Sequence, residues 1–301
     1  MKKYFFGLFL AIIIFLPLSP LQAAPENRSI KVGAFDNYPV IFKDTDGIIK
    51  GLYVDVLTEI GLKENISFSY VFGTWADGLN RIKTGEVDML TSVGYTDERS
   101  SFMDYTKNQV LTVWGEVYIP EWSEIDGILS VAGKKIGIMA GDINAQNFRE
   151  LVAKFNISSE FVAFPTYNDV FKAVADKKID AGVAGITYGN ANKSKYNLKQ
   201  SGIVFNPLSL YFTVAKGKNK ELLSTLDNYL AKWKIEDNSF LRQSEQKWLN
   251  DTATARVVVP SWLYIVLVGL VSIVLIAVAF IIILNRQVKK KVAIINQQQN
   301  K

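Results

Sequence analysis

Residues 263–284 carry no charged side chain, and no other stretch constrains the architecture as strongly. At about 1.5 Å of rise per helical residue they span roughly 30 Å, the hydrocarbon thickness of a bilayer. Trp262 and Tyr264 stand at one margin, and Arg286 with Lys289, Lys290 and Lys291 at the other. The positive-inside rule therefore predicts a transmembrane helix over 262–284 and a cytoplasmic tail over 285–301. The body of the chain is then expected outside the cell (inner) membrane, in the periplasm or extracellular space.

The opposite end agrees with that placement. Lys2 and Lys3 precede an apolar run from Tyr4 to Leu16, Pro17 and Pro20 break it, and small residues follow at Ala23 and Ala24. Residues 1–23 read as a signal peptide. An uncleaved anchor is the competing reading, but the run is shorter than the roughly 18 apolar residues that spanning needs.

The net charge of +5 invites a nucleic-acid partner until the charges are located. Lys2, Lys3, Arg286, Lys289, Lys290, Lys291 and Lys301 lie in the two end segments, which contain no acid; taking those seven cations from +5 leaves −2 for residues 24–284. An acidic body has little use for a phosphate backbone, so no nucleic acid is expected. The chain has no cysteine and no histidine. Thiol nucleophiles, disulfides, zinc clusters and imidazole bases are thereby excluded, and no carboxylate pair stands out by spacing. Neither catalysis nor a metal or other cofactor is expected.

Between the ends, strand alternation and helical spacing take turns, the pattern of an α/β protein. Ile30, Val32 and Ala34 read as a strand, Val54, Leu57 and Ile60 as a helix face, and residues 66–72 and 87–93 as strands on either side of a helix bearing Trp75, Leu79 and Ile82. The alternation restarts at Lys135. Trp75, Asp77, Leu79, Ile82, Val87 and Asp88 match Tyr167, Asp169, Phe171, Val174, Ile179 and Asp180 at a constant offset of 92 residues. Two related halves follow, each with a capped helix, a polar turn and a strand entering a sheet. Asp88 and Asp180 are read as satisfying a turn at the strand start rather than as catalytic carboxylates. After residues 203–215, again strand-like, two helix faces built on Leu222, Leu226, Leu230 and Trp233 and on Phe240, Leu241, Trp248 and Leu249 return the chain to the first half. Two crossings, near Val113 to Ile119 and Val204 to Thr213, then form a hinge beside a cleft. The expected organisation is a solute-binding domain over 24–255, with lobe 1 at about 28–115 and 208–250 and lobe 2 at about 116–207.

Over roughly residues 28–250 the chain resembles the type-3 extracellular solute-binding proteins. The resemblance rests on Gly33 to Pro39, Phe42, Asp46–Gly47, Gly51 and Asp55; on Trp75 to Asp88; on Thr96–Asp97–Glu98–Arg99 with Asp104–Tyr105–Thr106; and on Gly133 to Gly141 and Lys178 to Gly185. It implies a two-lobed periplasmic-binding-protein-like fold of type II, with hinged lobes. It also implies that Arg99 grips a ligand carboxylate through a bidentate guanidinium. Phe35, Tyr38 and Trp75 are the expected aromatic walls, with Tyr95 and Trp114 as further candidates; each also fits a plain core role. The segment 140–144 opens a helix whose free amides can meet an anion.

The chain departs from that pattern at three places. Relatives that bind amino acids carry an acid at the position of Gly185, many carry a hydroxyl residue at Gly94, and Asp142 replaces a common threonine. Asp142 is either the helix N-cap or a receiver for a cation. An α-amino acid is therefore not implied outright, and the partner is a small carboxylate or amino-acid-like molecule. Joined to a C-terminal span, the pattern resembles the input half of membrane histidine kinases or diguanylate cyclases. Val288, Val292 and Ile295 are spaced as an a/d seam, either the start of a coiled coil that would pair two copies or a polar tail. A homodimer through the tail, or a cytoplasmic signalling partner, is the corresponding expectation, with solute delivery to a transporter as the alternative.

Overall fold

The computed structural model describes residues 28–253, 268–272 and 275. The chain divides into two compact units at Ala253, and the first holds every element below. In chain order these are β1 (Arg28–Ala34), β2 (Phe42–Lys43), β3 (Ile49–Lys50), α1 (Leu52–Glu64), β4 (Ile66–Phe72), α2 (Trp75–Thr84), β5 (Met89–Gly94), α3 (Asp97–Ser100), β6 (Met103–Tyr105), β7 (Leu111–Pro120), β8 (Lys135–Met139), α4 (Ile143–Lys154), β9 (Glu160–Phe164), α5 (Tyr167–Ala175), β10 (Ala181–Gly185), α6 (Ile186–Asn192), β11 (Leu198–Ala215), α7 (Lys220–Ile235) and α8 (Phe240–Ala253). In the second unit, residues 268–272 and 275 are helical and exposed. Most of the expected span over 262–284, the leader over 1–23 and the tail over 285–301 lie outside the described residues, among which no helix is long and apolar enough to cross a membrane.

One mixed sheet runs β4-β1-β5-β11-β7-β10-β8-β9, with β6 paired to β11. Its two ends repeat a single topology. On one side β1 pairs in parallel with β4 and β5; on the other β8 pairs in parallel with β9 and β10. Each end is thus a βαβαβ unit whose first strand lies in the middle, and the 92-residue echo in the sequence is its trace.

The echoed residues explain why. Thr74 caps α2 by accepting the Asp77 amide, while the Asp77 carboxylate accepts the Thr74 amide, a reciprocal capping box. Thr166 and Asp169 open α5, where the threonine Oγ1 again accepts the third amide. One turn further on, Asp88 accepts the Lys31 amide at 2.9 Å and Asp180 accepts the Lys135 amide at 2.7 Å. These carboxylates tie each third strand to its first, so the turn-satisfying role is the one they fill.

The middle of the sheet is a long antiparallel ribbon. β11 extends for 18 residues, five more than the periodicity marks, and pairs with β7, β5 and β6 in turn. Its register shifts between Gln200 and Val204, between Phe205 and Leu208, and between Tyr211 and Thr213, which bends it from one half to the other. The buried face of α1 is Leu52, Tyr53, Val56, Leu57 and Ile60, with Val54 only half-buried. Phe148, Phe171 and Tyr118 are fully buried on the other side.

Candidate ligand-binding site

In open parallel sheets ligands collect beyond the carboxyl ends of the strands, where loops and helix N-termini converge. Here two sets of such ends face one another. Phe35 follows β1, Trp75 follows β4, Asp142 follows β8, Tyr167 follows β9, and Gly185 ends β10; all line one cavity of about 40 Å³. A void of that size holds only a few waters, so the facing strand ends lie close together in this structure.

Arg99 sits at the cavity's edge with 7% of its surface exposed. The Thr96 hydroxyl caps its short helix and aims it inward. Its Nη1 donates to the Gly94 carbonyl at 2.9 Å and its Nη2 to the Gly141 carbonyl at 2.8 Å, in the opposite half. The guanidinium lies 5.5 Å from the centre of the Trp75 ring. Trp75 Nε1 donates to the same Gly141 carbonyl at 2.9 Å, so one backbone oxygen takes a hydrogen bond from each of two side chains across the cleft. Burial pulls the Arg99 pKa down and the nearby Asp142 charge opposes that, yet an arginine so placed stays charged at neutral pH.

Opposite Arg99, Asp142 caps α4 by accepting the Asn144 amide at 3.1 Å. Its other oxygen accepts the Tyr167 hydroxyl at 2.7 Å. Burial of the carboxylate raises its pKa above the ordinary range, with Tyr167, Asn144 and Arg99 working in the other direction. Tyr167, which matches Trp75 in the echo, occupies the mirrored place: each half presents an aromatic at the first residue of its second helix, hydrogen-bonded to the 141–142 segment.

Of the residues singled out in the sequence, Arg99, Trp75, Phe35 and Asp142 converge on the cavity, with the Phe35 and Trp75 rings 5.0 Å apart. Gly94 contributes its carbonyl to Arg99, but a side chain at this position would meet Leu208 at 3.1 Å and Ile143 at 3.2 Å, so the room for a hydroxyl residue is already filled. Tyr38, after which comes a cis peptide to Pro39, meets Phe42 edge-on with ring centres 4.9 Å apart and does not line the cavity. Tyr95 is 57% exposed, bonds its own neighbour Asp97, and lines an outer groove with Gly94. Trp114, on the central ribbon, is 38% exposed.

Asn144 lines the cavity from the segment 140–144 marked in the sequence, while Tyr167, Ser92 and Tyr188 line it without having been singled out for the site. The 92-residue echo points at Tyr167 once Trp75 is chosen. Ser92 holds a positive φ of 61°, a backbone choice that no local pattern announces.

Residues 30–121 match the family model of bacterial extracellular solute-binding proteins, family 3, and residues 112–248 match an NMT1/THI5-like model. The chain is 28% identical over 163 residues to a probable histidine-binding protein of Campylobacter jejuni, covering 54% of this chain and 61% of that one. It is 23% identical over 237 residues to the probable amino-acid-binding protein YxeM of Bacillus subtilis, covering 76% and 87%. Among solved structures, a histidine kinase sensor domain with similarity to periplasmic binding proteins superposes with a TM-score of 0.65 at 22% identity, over 74% of this chain and 96% of that one. An ancestral arginine-binding protein bound to arginine gives 0.66 at 20%, over 73% and 97%. The substrate-binding protein of an amino acid ABC transporter gives 0.65 at 21%, over 74% and 99%. The fold is the α/β periplasmic-binding-protein-like fold with a mixed sheet.

Proposed function

We propose that this chain, a member of the bacterial extracellular solute-binding proteins of family 3, closes two lobes over a small amino-acid-like solute and acts as the sensory input of a transmembrane signalling system. The lobes are those drawn from the sequence, about 28–115 with 208–250 and about 116–207, turning on β7 and β11. Residues 1–23 serve as the leader, 262–284 as the anchor, and 285–301 as the cytoplasmic end through which two copies or a signalling partner would be engaged. Arg99 takes the solute's anionic or carbonyl group, and Phe35 and Trp75 wall it. The observation that carries this is the placement of a buried guanidinium from one half and a half-buried carboxylate from the other on the lining of one cavity, at facing strand ends. Signalling is favoured by the likeness to a kinase sensor domain together with the uncharged stretch at 263–284. Delivery to a permease is the second reading, favoured by the likeness to a transporter's substrate-binding protein.

A thermal-shift screen of the full chain in detergent, against the standard amino acids and small carboxylates and amines, tests the binding step. A solute at a hundred times its Kd stabilises by about 2.7 kcal/mol, several degrees for a body of this size. No shift from any compound would overturn the proposal. Topology is tested separately. The chain lacks cysteine, so a Gln298→Cys variant carries a single thiol. An impermeant maleimide is expected to leave it unlabelled in intact cells and to label it after lysis; labelling in intact cells would remove the anchor and the signalling reading with it.

A further inference from the structure

We infer that Asp142, Asn144 and Tyr167 form a subsite for a cationic, N–H-rich group of the solute, an ammonium, amidinium or guanidinium, with Arg99 beside it taking the solute's anionic group. The inference rests on the solute-binding reading above and names the chemistry of that same site.

A helix N-terminus ordinarily invites an anion, through its free amides and dipole. Here the chain has filled that position with its own anion, because the Asp142 carboxylate is the cap. A second anion arriving there would meet like charge. The polarity of this end of the cavity is therefore inverted.

Asn144 supplies the independent observation. It is 5% exposed and lines the cavity. Its Nδ2 donates to Asp142 Oδ1 at 3.3 Å and to the Tyr167 hydroxyl at 3.3 Å. Those bonds fix the amide's orientation, since reversing it would set oxygen against carboxylate. Its Oδ1 is consequently buried with no hydrogen-bond partner, a costly arrangement that a donor from the solute would relieve. Asp142 points the same way: it accepts from the Asn144 amide, from Asn144 Nδ2 and from Tyr167, leaving about one of a carboxylate's four lone-pair sites open. Two adjacent acceptors call for a group with at least two N–H donors.

The rest of the lining agrees. Asp142 is the one acid and Arg99 the one base among the lining residues, and among the described residues no ion pair within 4 Å joins them. Gly185 adds no side chain, and a Cβ there would stand 3.5 Å from Asn144 Nδ2 and 4.0 Å from the Tyr167 hydroxyl. The Tyr167 and Tyr188 rings, 4.9 Å apart, and Trp75 offer aromatic faces of the kind that favour cations.

The test is calorimetric titration of the full chain with matched probes: alanine, propionate and propylamine, and arginine with 5-guanidinopentanoate and agmatine, each on the native chain and on Asp142→Asn. Asparagine keeps a capping oxygen while removing the charge. Nitrogen-bearing probes are expected to bind and propionate is not, and Asp142→Asn is expected to weaken the binders at least fivefold, since a charged acceptor is roughly twice as strong as a neutral one. Binding of propionate as tight as that of alanine, or unchanged affinity in Asp142→Asn, overturns the inference and leaves the solute-binding reading standing. Failure of every probe, together with an empty thermal-shift screen, overturns both.

A second readout separates lost chemistry from lost folding. The ionisable groups facing Asp142 are Arg99 and Tyr167, and burial nonetheless holds its folded-state pKa above the unfolded value. Stability contributed below the unfolded pKa is then lost as pH rises through the folded one, so at pH 7 the ionised carboxylate is a net cost. Asp142→Asn is expected to melt above the native chain at pH 7, with the difference closing as the pH is lowered. A variant that melts lower at pH 7 and binds weakly would show damage to the fold and would overturn the assignment.

Discussion

Replacing Arg99 by alanine is expected to lower the affinity for any bound solute by about ten- to a hundredfold, the effect of losing a charge-assisted pair worth about 1.5 to 3 kcal/mol. Arg99 is buried, it bridges from Gly94 in its own half to Gly141 in the other, and it stacks near Trp75. The same substitution removes one of the two side chains that hold the Gly141 carbonyl across the cleft. Solute-free protein should therefore open more readily, seen as a larger radius of gyration in solution scattering than the native chain shows. Arg99→Lys keeps the charge and loses the fork, so it is expected to fall between native and alanine. Calorimetry on the three proteins checks the order, and equal affinities would take Arg99 out of the site.

Gly189→Ala is expected to destabilise the chain by about 2 kcal/mol, lowering the melting midpoint by about 4 to 8 °C. Two effects oppose each other at this position in α6. Alanine is the better helix former by about 1 kcal/mol. Against that, a Cβ at residue 189 would stand 1.9 Å from the Tyr118 ring, far inside contact distance. Tyr118 is fully buried, donates to Glu116 at 2.9 Å and packs 5.0 Å from Phe171. It has no empty space to move into, so overpacking, at the upper end of about 1 to 3 kcal/mol, outweighs propensity. A midpoint equal to or above the native value would mean that the ring yields, and solute affinity measured alongside should change little in either case.

The chain's periodicity is a good guide where the causes are local. Thr74 with Asp77 and Thr166 with Asp169 begin helices by short-range capping, and Asp88 and Asp180 end turns beside their own strands, so six positions in register were enough to see a duplicated unit. Where the cause is distant, the pattern falls silent. β11 begins at Leu198 although Gly202, with φ of 81°, interrupts its alternation, because the pairing partner β7 is some 80 residues away. Phe35 and Tyr38 are equally aromatic, but the Asn37–Ile41 bridge turns the chain between them and only Phe35 reaches the cavity. Asn144 ends the segment 140–144 read as a helix opening for an anion; the role of its side chain comes from Tyr167 and Asp142 meeting around it.

Helix α8 touches both halves. Its Lys247 and Trp248 donate to the Asp55 carboxylate of α1 at 2.6 and 2.7 Å, and its body also packs on α6. Any rotation of one half against the other would have to move α8 relative to α1 or to α6. α8 is the last helix of the first unit, so a shift of that kind would be carried to the end of the unit at Ala253.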